Sequence, residues 1–381
     1  MLILIQEVAY MAKVNLKIAE LRKQKQIGQQ ELAKVLGVTY QSVSKWETGT
    51  TMPDITLLPD IAEYFNVSVD ELLGLKPLRK QQYIPRNTDE RASWNDNTDK
   101  LYQNRKYFWN DDYLRFLVEK VWCITLPINV IDFWCGDGYC GKKLLEILPK
   151  GSTYTGIDNT YFIEKAKRTF MDTEIHSDFI ISDIYSLDTN KKYDLAICQA
   201  CLRHLNRPLE ALAIMIETVK KGGRVVCVEV NREFENDGTY IEGINYDELC
   251  TNFDYHPLWR TELENEGRDY AIGMRLSFYM SQLGLHDVGV RMNDKVVFNQ
   301  PQNQNYKKEL QDFIEINGWD RTKSIAESEG LIEFFLNRGI KRVDSEKLIM
   351  MQSKIADYFN RTDFEPSYLK VQGLMITYGI K

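Results

Sequence analysis

VIDFWCGDGYCG, residues 130–141, decides the fold. Val130 to Phe133 has the apolar character of a buried strand, broken by a single acid, Asp132. Gly136, Gly138 and Gly141 follow in a GxGxxG spacing, and the run after them suits a helix. A strand, a glycine turn and a helix in that order let a backbone approach a nucleotide-like ligand closely. Trp134 is the anomaly, because the commonest form of this turn has another glycine there.

Working outward, apolar β-branched runs alternate with amphipathic helical runs from Tyr107 to about Val297. This alternation predicts a doubly wound parallel sheet. Residues 300–366 read as helices (KKELQDFIEI, GLIEFFLNRG, EKLIMMQSKIADYF), expected to form a helical lid or insertion, and VQGLMITYGIK closes the chain as a strand. Residues 76–106 are polar with little apolar periodicity, which is a linker composition.

Asp158 lies 20 residues after Gly138, so the glycine pattern alone also fits a dinucleotide site. Asp132 argues otherwise. A carboxylate four residues before Gly136 makes little sense beside a pyrophosphate. It does make sense beside the cationic amino group of S-adenosylmethionine (SAM). Asp158 closes a second strand, YTGID, where a carboxylate can accept from both ribose hydroxyls. Asp183 follows a third strand, DFIISDI, where it can read the exocyclic amine of adenine. YDLAICQACLRHL reads as a fourth strand, a loop and a helix, and KKGGRVVCVEV as a glycine turn and a fifth strand.

The order and spacing of these motifs resemble the class I SAM-dependent methyltransferases over residues 107 to about 298. The resemblance implies that Asp132, Trp134, Gly136 and Gly138 lie at the methionine and ribose end of SAM, with Asp158 on the ribose. It places Asp183 and Ile184 at the adenine and Gln199 beside the sulfonium. Trp134 departs from the family pattern: its indole stacks over the ligand, points back into the core, or blocks the site.

Methyl transfer depends largely on aligning the nucleophile with the methyl group, with a base added when the nucleophile carries a proton. His204 in CLRHLNRP is the first candidate base, and Glu229 at the end of strand five is the second. Cys198, Cys201 and His204 spell CxxCxxH, but Cys198 falls on a strand, so buried thiols are expected and no metal. QACL after strand four is not the Pro-Pro-Tyr type of loop that holds a flipped base, and the chain has no Pro-Cys pair, so DNA is not expected to be the methylated substrate.

A second signal lies upstream. Leu32, Ala33 and Leu36 give one face of a helix that Gly37 closes, and Val43 and Trp46 share the buried face of the next. Gln41, Ser42, Ser44 and Lys45 then project outward, in a short helix of amides, hydroxyls and a cation that suits the major groove. Gln29 or Gln30 would sit near a phosphate. Residues 15–75 resemble the Cro/C1-type (XRE) helix-turn-helix family, carried by Gln30, Glu31, Leu32, Ala33, Gly37, Val38, Ser42, Val43, Ser44, Trp46, Glu47, Gly49, Pro53 and Leu72-Leu73. That implies double-stranded DNA as a partner and allows a homodimer, although no dimerisation helix is evident. From Asn15 to Thr50, six basic residues (Lys17, Arg22, Lys23, Lys25, Lys34, Lys45) face three acidic ones.

The 381 residues carry a net charge of −7, so any DNA contact has to come from a local surface. Seven cysteines, none before Cys123, fit reduced thiols rather than a disulfide framework. Residues 1–14 read as a leader too short for a signal peptide, with Met1 and Met11 both open as starts. A cytoplasmic protein with no membrane span is expected. The expected fold is α/β: a small all-α helix-turn-helix domain (15–75), a linker, and a Rossmann-like doubly wound domain (107–381). The expected function is a DNA-binding regulator fused to a methyltransferase acting on a small molecule. The alternatives are a regulator whose methyltransferase-like domain only senses SAM or another ligand, and a protein or RNA methyltransferase.

Overall fold

The computed structural model describes residues 14–65, 67–75, 108–230, 238–249, 253–361 and 365–381. The expected leader and linker lie outside these residues, apart from Val14. The chain divides into two compact units, one of Met1–Pro85, Asn252–Thr261 and Thr322–Lys354, the other of Arg86–Thr251, Glu262–Arg321 and Ile355–Lys381.

In the first unit, residues 18–72 form five short helices: α1 (Ile18–Gln24), α2 (Gln29–Val35), α3 (Tyr40–Glu47), α4 (Leu58–Phe65) and α5 (Val69–Leu72). No helix this short is stable alone, so packing holds them. Ile18, Leu32, Val43, Ile61 and Leu72 are wholly buried in one cluster that also takes in Trp46. Gly37 closes the α2 turn at φ +66°, and Thr39 starts α3 by accepting from the Ser42 amide at 3.1 Å. Ser68 and Glu71 form a reciprocal capping box on α5.

The second unit is built on a seven-stranded sheet. Its strands are β1 (Asn129–Phe133), β2 (Thr153–Asp158), β3 (Ser177–Ile181), β4 (Tyr193–Gln199), β5 (Val219–Val230), β7 (His286–Met292) and β10 (Leu374–Ile380), in the order β3-β2-β1-β4-β5-β10-β7. The first five are parallel, and β10 runs antiparallel between β5 and β7. Strands β6 (Thr239–Ile241), β8 (Val296–Asn299) and β9 (Tyr368–Val371) make a second, three-stranded sheet. The closing run VQGLMITYGIK is therefore not one strand, since Val371 ends β9 in the small sheet and Leu374 begins β10 in the large one.

The central strands β1, β2 and β4 are buried on both faces, which explains why they read as apolar runs rather than alternating ones. Val130, Leu195, Ile197, Val226 and Val228 face one cluster, which Leu144 and Ala166 complete from the helices after β1 and β2, α7 (Tyr139–Leu145) and α8 (Thr160–Phe170). That cluster also takes in Leu114 from α6 (Asp111–Phe116). Ile131, Phe133, Ala196, Cys198, Val225 and Cys227 face the other, with α9 (Pro208–Thr218) and α12 (Ile272–Gln282). The remaining helices are α10 (Tyr246–Leu249), α11 (His256–Glu266), α13 (Tyr306–Asn317), α14 (Ile325–Leu336) and α15 (Arg342–Phe359), so the stretch read as helical after residue 300 is helical through most of its described length.

The fold is thus a small all-helical helix-turn-helix domain and a Rossmann-like α/β domain with a C-terminal helical extension. The strand order reverses between β1 and β4. The crevice at the carboxyl ends of those two strands is where open α/β sheets hold their ligands.

Candidate functional site

The candidate cofactor residues lie at the carboxyl ends of β1 to β4 or in the loops that follow them. The turn after β1 holds Gly136 and Gly138 at φ +59° and +78°, the left-handed region that glycine enters without a Cβ penalty. Gly138 has a second constraint, because a Cβ there would lie 2.7 Å from the Phe170 ring. Asp158, at the end of β2, accepts from the Gly136 amide at 3.0 Å and from the Asn159 amide at 2.7 Å. The glycine turn and the acid of the next strand are therefore one hydrogen-bonded unit.

Asp132 is 1% exposed on β1 and accepts from the Tyr154 hydroxyl at 2.9 Å. Tyr154 stacks on Phe170 at 4.7 Å and lies across Gly141, where a Cβ would come within 2.1 Å of its ring. Burial, reinforced by the nearby Asp132 charge, pushes the Tyr154 phenol well above its usual range, so it stays a donor. Tyr154 did not stand out in the sequence, because nothing in a strand's alternation marks one tyrosine as the partner of an acid on the neighbouring strand. Asp183 is exposed and caps the short helical turn Ile184–Ser186, accepting from the Tyr185 amide at 3.1 Å, while Ile184 is buried.

Trp134 has a backbone explanation. Its φ is +53°, so the position favours glycine for conformational reasons apart from any ligand. Its indole is half-buried and packs against the cluster containing Phe133, with the two ring centroids 6.3 Å apart. Ala200, directly after β4, is also left-handed at φ +57°. Two non-glycine residues in this costly region thus flank the reversal point of the sheet, at the ends of β1 and β4. Strain of this kind collects at functional sites.

The loop after β4 is fixed from β5. Glu229 is fully buried, and its Oε1 accepts from the Cys201 amide at 2.9 Å and the Leu202 amide at 2.7 Å. Its Oε2 lies 3.7 Å from Arg203 Nη1. Glu229, read as a candidate base, is thus engaged in holding a loop. Arg203 Nε donates to His204 Nε2 at 3.0 Å. His204 therefore receives a hydrogen bond at the nitrogen a base would use, and its ring meets Tyr270 edge-on at 6.3 Å. Sequence reading missed Arg203, although it adjoins the histidine that was singled out. Gln199 ends β4 with its Nε2 buried and, among the described residues, without a hydrogen-bond acceptor.

Cys198 is buried within β4, and burial pushes its thiol well above the usual range, with Cys227 beside it. A thiol held protonated is inert. The six cysteines among the described residues are in no disulfide, and among those residues no three metal-ligating side chains gather. No helix among them is long and apolar enough to cross a membrane.

On α3, Gln41 and Lys45 are exposed and Ser42 and Ser44 half-buried, with Val43 and Trp46 turned inward. Ser42 Oγ sits 2.8 Å from Thr39 Oγ1, so its hydroxyl already has a partner. Tyr40, which sequence reading passed over, is 45% exposed on the same helix. Gln30 is exposed at the start of α2, whereas Gln29 donates to Glu47 at 2.7 Å. Two cations counted toward DNA are engaged inside the domain. Arg22 forms a two-pronged pair with Glu47 at 2.6 and 3.0 Å, and Lys25 donates to the Tyr64 carbonyl while lying over its ring.

Residues 18–72 match the helix-turn-helix family model, and residues 101–272 match a methyltransferase domain model. The chain joins a helix-turn-helix domain to a methyltransferase-like domain. The HTH-type transcriptional activator BcrR of Enterococcus faecalis is 41% identical over 60 residues, which are 16% of this chain and 29% of that protein. A ubiquinone biosynthesis O-methyltransferase of Rickettsia canadensis is 24% identical over 135 residues, 34% of this chain and 55% of the enzyme. The chain therefore spans between about a third and about half of these relatives' lengths. Among solved structures, the plantazolicin methyltransferase BpumL in complex with SAH aligns with 77% of this chain and 96% of its own, at 15% identity and a TM-score of 0.37.

Proposed function

We propose that the methyltransferase-like domain, residues 107–381, is a class I SAM-dependent methyltransferase acting on a small molecule. A Cro/C1-type head, residues 15–75, holds it at double-stranded DNA. The observation that carries the reading is the hydrogen bond from the Gly136 amide to Asp158. It ties the glycine turn at the sheet's reversal point to a buried carboxylate at the end of β2, a cradle suited to an adenosine ribose. The position of β10 between β5 and β7 supports the class I reading, as do acids at or after the carboxyl ends of β1, β2 and β3.

When bound, SAM supplies an electrophilic methyl group. The protein's own residues supply the setting. Asp132, held by Tyr154, offers negative charge toward the cationic end of the ligand. Gly136 and Gly138 bring backbone close to it. Asp158 receives the ribose hydroxyls, and Asp183 and Ile184 flank the adenine. Gln199 stands where the methyl acceptor meets the cofactor. In the DNA-binding head, Gln41, Ser44 and Lys45 read the major groove, with Ser42 and Gln30 at its edge, and a homodimer would match paired half-sites.

Trp134 favours a second reading, in which the domain senses SAM or another ligand and regulates transcription without turnover. Its side chain occupies a turn whose backbone suits glycine. Titration with SAM, followed by transfer of a radiolabelled methyl group in cell extract, separates the two. Transfer supports the enzyme. SAM-dependent operator binding without transfer supports the sensor.

A further inference from the structure

Two hydrogen-bond donors at the carboxyl end of β4 have no acceptor among the described residues. Gln199 Nε2 and Arg203 Nη1 are both buried, and neither atom has a hydrogen-bond partner among the described residues. Buried polar atoms are nearly always satisfied, so a pair left open within five residues needs an explanation. The segment that carries them is firmly held. Ala200 donates to the Val228 carbonyl at 2.7 Å, and the Cys201 and Leu202 amides both donate to Glu229.

The charge of Arg203 is balanced, but its hydrogen-bonding capacity is not filled. Its side chain is 12% exposed, and Glu229 Oε2, at 3.7 Å, is near enough for charge neutralisation but too far for a hydrogen bond. Its Nε is fixed on His204 at 3.0 Å, which sets the plane of the guanidinium. An arginine has five donor hydrogens in a rigid fork, matched to a carboxylate. Glu229, the acid nearest to this group, is turned onto the loop backbone through Oε1.

We propose that Gln199 and Arg203 together receive an anionic oxygen of the methyl acceptor, so that the small molecule taken at this site bears a carboxylate rather than an amine. This rests on the methyltransferase reading of the site. Glu229 Oε2, the acceptor beside them, is already paired in charge with Arg203, so an ammonium group would leave both donors open, whereas a carboxylate satisfies both and adds a charge-assisted bond to the guanidinium.

The test titrates benzoate and benzylamine into the full-length protein, with and without saturating S-adenosylhomocysteine (SAH). Benzoate is expected to bind at least roughly tenfold more tightly than benzylamine, as a charge-assisted hydrogen bond warrants. Arg203→Met should abolish that preference, and Arg203→Lys, which keeps the charge without the planar fork, should restore part of it. The wild-type ranking stands as a test even if a variant fails to fold. SAH binding with benzylamine equal or superior to benzoate overturns the proposal, as does no binding of benzoate at millimolar concentration. Loss of SAH binding with the acid preference intact would instead sink the methyltransferase reading and leave the acid site standing.

Discussion

The Gly136 amide donates to the Asp158 carboxylate at 3.0 Å, fastening the turn after β1 to the end of β2. The same carboxylate is assigned to the ribose. Asp158→Ala should therefore weaken SAH binding by about 10- to 100-fold, the scale of a lost hydrogen bond to a charged group. Asp158→Asn, which keeps one acceptor oxygen, should fall in between. Unchanged affinity in the alanine variant would remove Asp158 from the site.

Trp134 offers a test of backbone strain. At φ +53°, alanine keeps the steric penalty and glycine relieves it. Both Trp134→Gly and Trp134→Ala lose the packing of the indole. The glycine variant should nonetheless be more stable than the alanine variant by about 1 kcal/mol in chemical denaturation. If the indole rests on the core as its contact with Phe133 indicates, SAH affinity in Trp134→Gly should change by less than about threefold, under 1 kcal/mol. A gain of tenfold or more would show that the indole obstructs the ligand.

The Arg22–Glu47 pair links α1 to α3 and should give the DNA-binding head an acid-sensitive component. Burial alone lifts the Glu47 carboxyl, but hydrogen bonds from Arg22 and Gln29 and the guanidinium charge outweigh it and hold the group below its usual 4.5. A carboxylate depressed on folding stabilises above its unfolded value, and that contribution fades as pH falls through the folded value. Glu47→Gln should cost about 1–3 kcal/mol at pH 7. The gap from wild type should shrink as pH drops below 4.5, as read by denaturation at several pH values. A gap independent of pH would contradict the assignment.

For DNA binding, Gln41→Ala and Lys45→Ala should each weaken binding to a duplex selected from a random pool by about 1–3 kcal/mol, measured by fluorescence anisotropy. Ser42→Ala should do less, because its hydroxyl is partnered by Thr39. Equal affinity in both the Gln41 and Lys45 variants would exclude α3 as the reading helix.

What the sequence disclosed and what it hid follow from how contacts are encoded. The glycine turn and the acids at the strand ends were legible because strand period and loop spacing place them at one edge of the sheet. The helix-turn-helix was legible because Val43 and Trp46 fall on one helical face while Gln41 and Lys45 fall on another. Pairings between distant elements left no such mark. Tyr154 meets Asp132 across 22 positions, Arg22 meets Glu47 across 25, and Glu229 reaches Cys201 across 28. These are products of packing. Arg22 therefore read as a DNA-facing cation and Glu229 as a base, until the fold gave each another partner. Trp134 was legible as an anomaly but not as a left-handed residue, since only the backbone shows its φ.

The central claim is that the glycine turn, Asp132 and Asp158 select SAM over a dinucleotide. Calorimetric titration of the full-length protein with SAM and, separately, with NAD tests it most directly. The account predicts saturable one-to-one binding of SAM and none of NAD. Binding of NAD, or no binding of SAM, would contradict it.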